Sequence, residues 1–172
     1  MQIITSINKL IEWRKSTNNK QLGFVPTMGA LHGGHLSLIN RSCDECDITV
    51  VSIFLNPLQF SKNEDLNSYP SSLDDDIRLL DDLGVDIVFS PSSEEMSSDD
   101  DTFYINETTL SSVLEGKSRP HFFPGVMAVV SKLFNLVRPH VSYFGKKDAQ
   151  QLIVIEAMVK EMMFPIKIVG CD

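Results

Sequence analysis

The sequence has no basic excess: 15 lysines and arginines stand against 23 aspartates and glutamates, a formal charge of −8. A surface that tracks nucleic-acid phosphates needs the opposite balance, so wholesale nucleic-acid binding is excluded. An anionic ligand would have to be held by local features such as helix N-termini and single lysines. No apolar run approaches the length of a membrane span, and the opening MQIITSINKLIEWRKS is amphipathic rather than signal-like. The expectation is a cytoplasmic protein with no membrane partner. There are only three cysteines, which cannot all pair within the chain. Cys43-x-x-Cys46 is their one close spacing. It follows a helix where a redox pair would begin one, and a zinc site would want a second pair, so a zinc domain built on these cysteines and the histidines is a remote option. No Ser-His-Asp or Cys-His set stands out, and no repeat or long linker divides the chain. What is present, 172 residues with 42% hydrophobic and 22% charged side chains, suits one domain with a substantial core.

The chain is organised around Leu22 to Ile39, LGFVPTMGALHGGHLSLI. Leu22 to Val25 reads as a strand ended by Pro26, Gly29 lets the chain turn, and Leu36, Leu38 and Ile39 resume a helical pattern from about His35 to Cys43. The turn therefore empties onto a helix N-terminus, where unpaired N–H groups favour an anion. Gly29, Gly33 and Gly34 would let a phosphate approach the backbone, with His32 and His35 beside it. Asp47 to Leu55 is a nearly continuous β-branched run, the pattern of a strand buried on both faces of a parallel sheet. These elements make a βαβ unit, and with it an α/β fold.

The rest of the chain extends that unit. Ser6 to Lys15 suggests an amphipathic helix capped by Ser6. Asn56-Pro57-Leu58-Gln59-Phe60 is a loop at a strand's carboxyl end, where open α/β sheets place ligands. Ser61 to Ser72 reads as a polar loop. Leu73, Ile77, Leu80 and Leu83 predict a helix stopped by Gly84, with Asp74, Asp75 and Asp76 in a first turn that favours negative charge. Val85 to Ser90 is a strand and Pro91 to Asp101 a solvated acidic loop without assigned chemistry. Thr102 to Asn106 reads as a short strand, and Thr109 to Leu114 as a short helix ended by Gly116. Val129, Val130, Leu133, Phe134 and Val137 mark a buried helix from Val126, closed by Pro139. Val141 to Phe144 is a strand leading through Gly145-Lys146-Lys147-Asp148 into a helix with Leu152, Ile155, Val159 and Met162 as its core stripe. Pro165 to Val169 is the final strand.

Met28-Gly29-Ala30-Leu31-His32-Gly33-Gly34-His35 resembles the His-x-Gly-His motif of the nucleotidyltransferase superfamily, which sets two histidines against the phosphates of ATP. With Val25-Pro26-Thr27 before it, the stretch is similar to that of the pantothenate synthetase family, ligases of pantoate and β-alanine. Asn56-Pro57-Leu58-Gln59-Phe60 resembles that family's pantoate-pocket segment. Phe144-Gly145-Lys146-Lys147-Asp148, with Gln150-Gln151 following, resembles a second family stretch. The resemblance implies a Rossmann-like three-layer domain with a mainly parallel sheet, and ATP with Mg2+, pantoate and β-alanine as substrates and counter-ion. By the same resemblance His35, His32 and Lys147 are catalytic, and Met28 to His35 with Gly145 to Asp148 bind ATP. The resemblance also implies that Gln59 and Gln151 bind pantoate or β-alanine and that the chain forms a homodimer. Because triphosphate charge must be neutralised somewhere, an indirect magnesium contact or a β-alanine ammonium contact is the alternative reading of Asp75 and Asp76 beside the helix dipole.

The resemblance spans nearly the whole chain, read as an N-terminal domain over residues 1–172. The family's smaller C-terminal domain and its Ser-Ser-Arg-Asn loop are expected to be absent. Two alternatives stand beside the ligase: an isolated binding and dimerisation module, inactive without that domain, and another nucleotidyltransferase. His121-Phe122-Phe123-Pro124-Gly125 shifts the family's histidine by one place, so His121 has no assigned role.

Overall fold

The computed structural model describes residues 1–17, 19–60, 72–97 and 104–172. Along the chain run β1 (Gln2–Ile4), α1 (Ile7–Lys15), β2 (Leu22–Thr27), α2 (Gly33–Glu45), β3 (Ile48–Ile53), α3 (Leu73–Asp82) and β4 (Ile87–Phe89). They are followed by α4 (Ser93–Met96), α5 (Leu114–Ser118), α6 (Phe122–Val137), β5 (Val141–Gly145), α7 (Ala149–Glu161) and β6 (Lys167–Cys171). Among the described residues the six strands form one sheet in the order β1-β4-β3-β2-β5-β6, and every pairing is parallel.

Helices cover both faces. Leu10 of α1, Phe123, Met127 and Leu133 of α6 and Ile155 of α7 join Leu22, Phe24 and Val50 in one core. Leu38 and Ile39 of α2 and Leu80 of α3 join Val25, Val51, Val88 and Tyr143 in the other. All six residues of β3 are buried, which is why its sequence is apolar without alternation. Arg14 of α1, also buried, closes the C-terminal end of α6 by donating from Nε to the Val137 carbonyl (3.0 Å) and from a terminal nitrogen to the Arg138 carbonyl (3.1 Å).

Strand order fixes where a ligand can sit. The chain moves from β2 outward to β3 and β4, then returns to place β5 on the other side of β2. The carboxyl ends of β2 and β5 therefore flank a topological switch point. Pro26, expected to end the strand, lies inside it and pairs with Ser52 of β3. The Thr27 carbonyl faces β3 and the Leu22 carbonyl faces β5, so by alternation Pro26 faces β5. Pairing of β2 with β5 ends at Phe24, so the missing proline N–H costs no ladder bond, and the two strands part just below the crevice.

Several expectations are corrected. The three-residue edge strand β1 is too short to show a pattern in sequence. The acidic stretch after Pro91 contains α4, whose Glu95 carboxylate accepts from the Ile7 amide at 2.9 Å and so caps α1. Residues 104–107 form no strand. Gly116 lies within α5 rather than ending a helix; a Cβ there would stand 2.0 Å from the Ser111 carbonyl oxygen. Helix α6 starts at Phe122, four residues before the expected Val126, since Pro124 falls in a first turn where no intrahelical N–H is needed. Val154 and Met158 join the core of α7 while Met162 is exposed, and β6 runs on to Cys171. The expected polar loop, apart from Ser72, and residues 98–103 lie outside the described residues.

Candidate active site

The β2–α2 turn carries the site's first wall. Gly29 (φ 85°) and Ala30 (φ 52°) take successive left-handed conformations, which fold the chain back and deliver His32 to the mouth of α2. His32 is the N-cap: its Nδ1 accepts from the Gly34 amide at 3.1 Å, leaving Nε2 as its donor. One turn on, the His35 ring lies against it, with centroids 4.1 Å apart. Among the described residues His35 Nδ1 is buried without a hydrogen-bond partner. Burial pushes the His35 pKa below the ordinary imidazole value, His32 and Lys147 push the same way, and Asp76 and Asp148 oppose them. His35 is therefore a neutral imidazole at neutral pH. A Cβ on Gly33 would meet no atom within 4 Å, so the helix mouth is open to a ligand there.

Two adjoining cavities meet at His35. The first, about 220 Å3, runs below the β2–α2 turn between Met28, Phe54, Gln59, Gln151 and the α6 side chains Val126, Val129, Val130 and Leu133. The second, about 170 Å3, lies at the helix mouth between His32, Gly34, Gly145, Lys147 and Asp172. Pro26, His35, Phe144, Asp148 and Gln151 line both. One space sets an apolar wall against Gln59, Gln151, His35, Glu115 and Asp148; the other has both histidines, Lys147, Asp148, Asp172 and a helix N-terminus. The first suits a small, partly apolar acid and the second a phosphate chain.

Local hydrogen bonds set the amides. Asn56 is buried, donates from Nδ2 to the Gly125 carbonyl (3.0 Å) and to Gln59 Oε1 (2.9 Å), and accepts from the Leu58 amide (3.3 Å). Gln59 Oε1 is thus occupied, and Nε2 is the group it offers a ligand. A Cβ on Gly125 would stand 2.4 Å from the Leu58 carbonyl oxygen, so the close approach of α6 to this turn requires glycine. Of the adjacent glutamines, Gln150 is structural, donating from Nε2 to the Leu110 (2.9 Å) and Val113 (2.7 Å) carbonyls and accepting from the Glu115 amide (3.0 Å). Gln151 lines the cavities.

The remaining candidates divide. Lys147 and Asp148 reach the site, but Lys146 pairs with Asp172 at 3.0 Å on the surface and lines neither cavity. The Ala30 and Leu31 amides donate to Asp76 (2.9 and 2.8 Å). Both Asp76 oxygens are so engaged, and exposed Asp75 pairs with Arg78 at 3.5 Å. No three His, Cys, Asp or Glu residues cluster as metal ligands among the described residues, so the chain builds no cation cage there. His121 is exposed at the start of α6. The three cysteines are free thiols, with Cys43 and Cys46 pushed up in pKa by burial. No helix among the described residues is long and apolar enough to cross a membrane. Sequence reasoning missed the Asp76 contact, the Asn56 relay and the α6 wall. The nearly all-apolar composition of α6 was the available signal, since a helix apolar around most of its girth has more than one buried side.

An all-parallel sheet covered on both faces, with a histidine-bearing helix mouth at its switch point, places the molecule among Rossmann-like α/β proteins that hold a ligand at the carboxyl edge. Within that class the chain belongs to the pantoate-beta-alanine ligase family, whose profile matches residues 2–172. It is 49% identical over 172 residues to the pantothenate synthetase of Staphylococcus haemolyticus, covering 100% of this chain and 60% of that protein. It is 52% identical over 171 residues to that of Oceanobacillus iheyensis, covering 98% and 60%. The crystal structure of pantothenate synthetase from Thermus thermophilus superposes with a TM-score of 0.93 at 42% identity, covering 99% of this chain and 61% of that one. The pantoate-beta-alanine ligase of Francisella tularensis, complexed with beta-gamma ATP and beta-alanine, gives 0.95 at 41%, covering 99% and 66%. This chain spans about 60% of the length of the curated relatives it matches.

Proposed function

We propose that this chain carries the ATP and pantoate sites of a ligase that joins pantoate to β-alanine through a pantoyl adenylate. The observation that carries the reading is His35, which lines both the cavity walled by α6 and the two glutamines and the helix-mouth cavity. A reaction between a small acid and a nucleotide phosphate needs its stabilising donor at such a junction. A pantoate carboxylate oxygen attacks the α-phosphorus of ATP, the bond to the bridging oxygen breaks, and pyrophosphate leaves. The β-alanine amine then attacks the acyl carbon, loses a proton, and AMP departs. No protein nucleophile is required.

His32, His35 and Lys147 donate to phosphate oxygens as charge develops, with the open N-terminus of α2 beneath them. Neutral His35 donates from one nitrogen without adding a buried charge. Gln59 Nε2 and the Gln151 amide hold pantoate, and the valines of α6 pack its apolar carbons and exclude water. Mg2+ bound with the triphosphate would neutralise part of its charge. Two donor amides beside an apolar wall favour a small hydroxy acid over a second nucleotide as co-substrate, which separates this reading from a dinucleotide-forming transferase.

The test is pantoate-dependent pyrophosphate release from Mg-ATP, with nicotinate mononucleotide as the competing co-substrate. Release with pantoate alone supports the reading. Release only with the mononucleotide overturns it in favour of the rival transferase. Binding of pantoate without any release supports a binding module instead.

A further inference from the structure

The Met28–Leu31 turn is held from below by a residue of another element. Asp76 of α3 is 4% exposed, and its Oδ2 and Oδ1 accept from the Ala30 and Leu31 amides at 2.9 and 2.8 Å. The left-handed conformations of Gly29 and Ala30 turn these amides to one side, which makes a concave anion cradle. That cradle is filled by the protein's own carboxylate. Gly29 serves that contact directly, since a Cβ there would stand 3.0 Å from Asp76 Oδ2.

The turn also needs an outside restraint. Ala30 holds a conformation that L-residues rarely adopt, and such a conformation persists only where its surroundings fix it. Thr27 Oγ1 accepts from the Gly29 amide (3.2 Å) and donates to the Ser52 carbonyl (2.7 Å), which secures the start of the turn from within the sheet. The last two residues before His32 have only Asp76 on their amides among the hydrogen bonds of the described residues. His32 follows Leu31 directly, and His35 stacks on His32. Any drift of Ala30 and Leu31 therefore moves both imidazoles.

We propose that Asp76 is a positioning residue: by clamping the Ala30 and Leu31 amides it sets where His32 and His35 stand between the two cavities. Its kinetic consequence rests on the adenylation reading, whereas the clamp itself rests on geometry alone. Asp76 touches no reacting atom. It reaches the site through the turn and, by its charge, through the His35 pKa, which it raises against burial, and it adds a polar tie to the apolar packing of Leu80 against the motif.

The experiment compares the wild-type chain with Asp76→Ala, which removes both acceptors, and Asp76→Asn, which keeps the volume and one acceptor. Folding is followed by circular dichroism, amide exchange at Ala30 and Leu31 by NMR, and adenylation by single-turnover pyrophosphate release. In Asp76→Ala the two amides should exchange at least about tenfold faster, as expected of a locally released turn. Its adenylation rate should fall by about 10²-fold, the cost of misplacing a catalytic group by about 1 Å, while the KM for pantoate stays within about threefold. Asp76→Asn should lie between, and it carries the test where Asp76→Ala does not fold. Unchanged amide exchange in Asp76→Asn overturns the proposal. So does released exchange with an unchanged adenylation rate, or a loss in which the pantoate KM rises in step, the mark of general loosening. Absence of release from the wild type overturns the adenylation reading, while the exchange rates still decide the clamp.

Discussion

His35 is a half-buried imidazole whose Nδ1 has no hydrogen-bond partner among the described residues, an arrangement that costs free energy. Replacing it with alanine should slow adenylation by about 10²–10³, the usual effect of deleting one transition-state donor, read in single-turnover rates. The pH dependence follows from its burial. The folded pKa lies below the ordinary value of about 6.5, so the unfolded chain takes up the proton first as pH falls. Stability present above that value is lost as pH drops below it, and thermal melts of His35→Gln should fall less steeply there than those of wild type. An NMR titration of the ring C–H should place the midpoint under about 6.5. Gln59→Ala and Gln151→Ala should each weaken pantoate binding by about tenfold, the worth of one hydrogen bond, in calorimetry. His32 and His35 are legible from motif spacing, whereas Gln59, Lys147 and Asp148 are reached only through the family resemblance, since on spacing alone their segments read as ordinary turns. Asp76 reads in sequence as a dipole complement, or as a magnesium or ammonium contact, because nothing local reveals that the left-handed Gly29 and Ala30 turn the Ala30 and Leu31 amides toward it.

At the scale of elements, periodicity locates the long helices and the buried strands, and it fails at their ends. Pro26 and Pro124 look like boundaries, yet each sits where its missing N–H is not needed, a fact fixed by strand order and helix position rather than by local sequence. Close approach explains glycines whose role the sequence hides. Gly125→Ala would drive a methyl group into the Leu58 carbonyl and displace the turn that carries Asn56 and Gln59. It should destabilise the fold by about 1–3 kcal/mol in denaturant melts and weaken pantoate binding more than ATP binding. Arg14→Met should cost about 3 kcal/mol, because it leaves the Val137 and Arg138 carbonyls without their charged donor. Its expected signature is a lowered denaturation midpoint with an unchanged slope.

For the whole molecule, the α/β class and the site's place at the sheet's carboxyl edge are readable from βαβ patterning and two motif segments. The strand order is not, since nothing local tells β5 to settle beside β2, which lies more than a hundred residues earlier. That seam is short. Only Gly23 and Phe24 of β2 pair with β5, and beyond them the strands diverge around the two cavities. The β1–α4 and α5–β6 parts of the chain thus meet at the middle of the sheet with few backbone bonds. Gln59 and His35 belong to the first part, and Lys147, Asp148 and Gln151 to the second. A substrate seated there bridges the halves and acts as a removable staple. Saturating ligand at about 100 times its Kd should add about 2.7 kcal/mol to unfolding stability by mass action. The gain in melting temperature should need contacts on both sides of the join, and should shrink when either Gln59 or Gln151 is truncated.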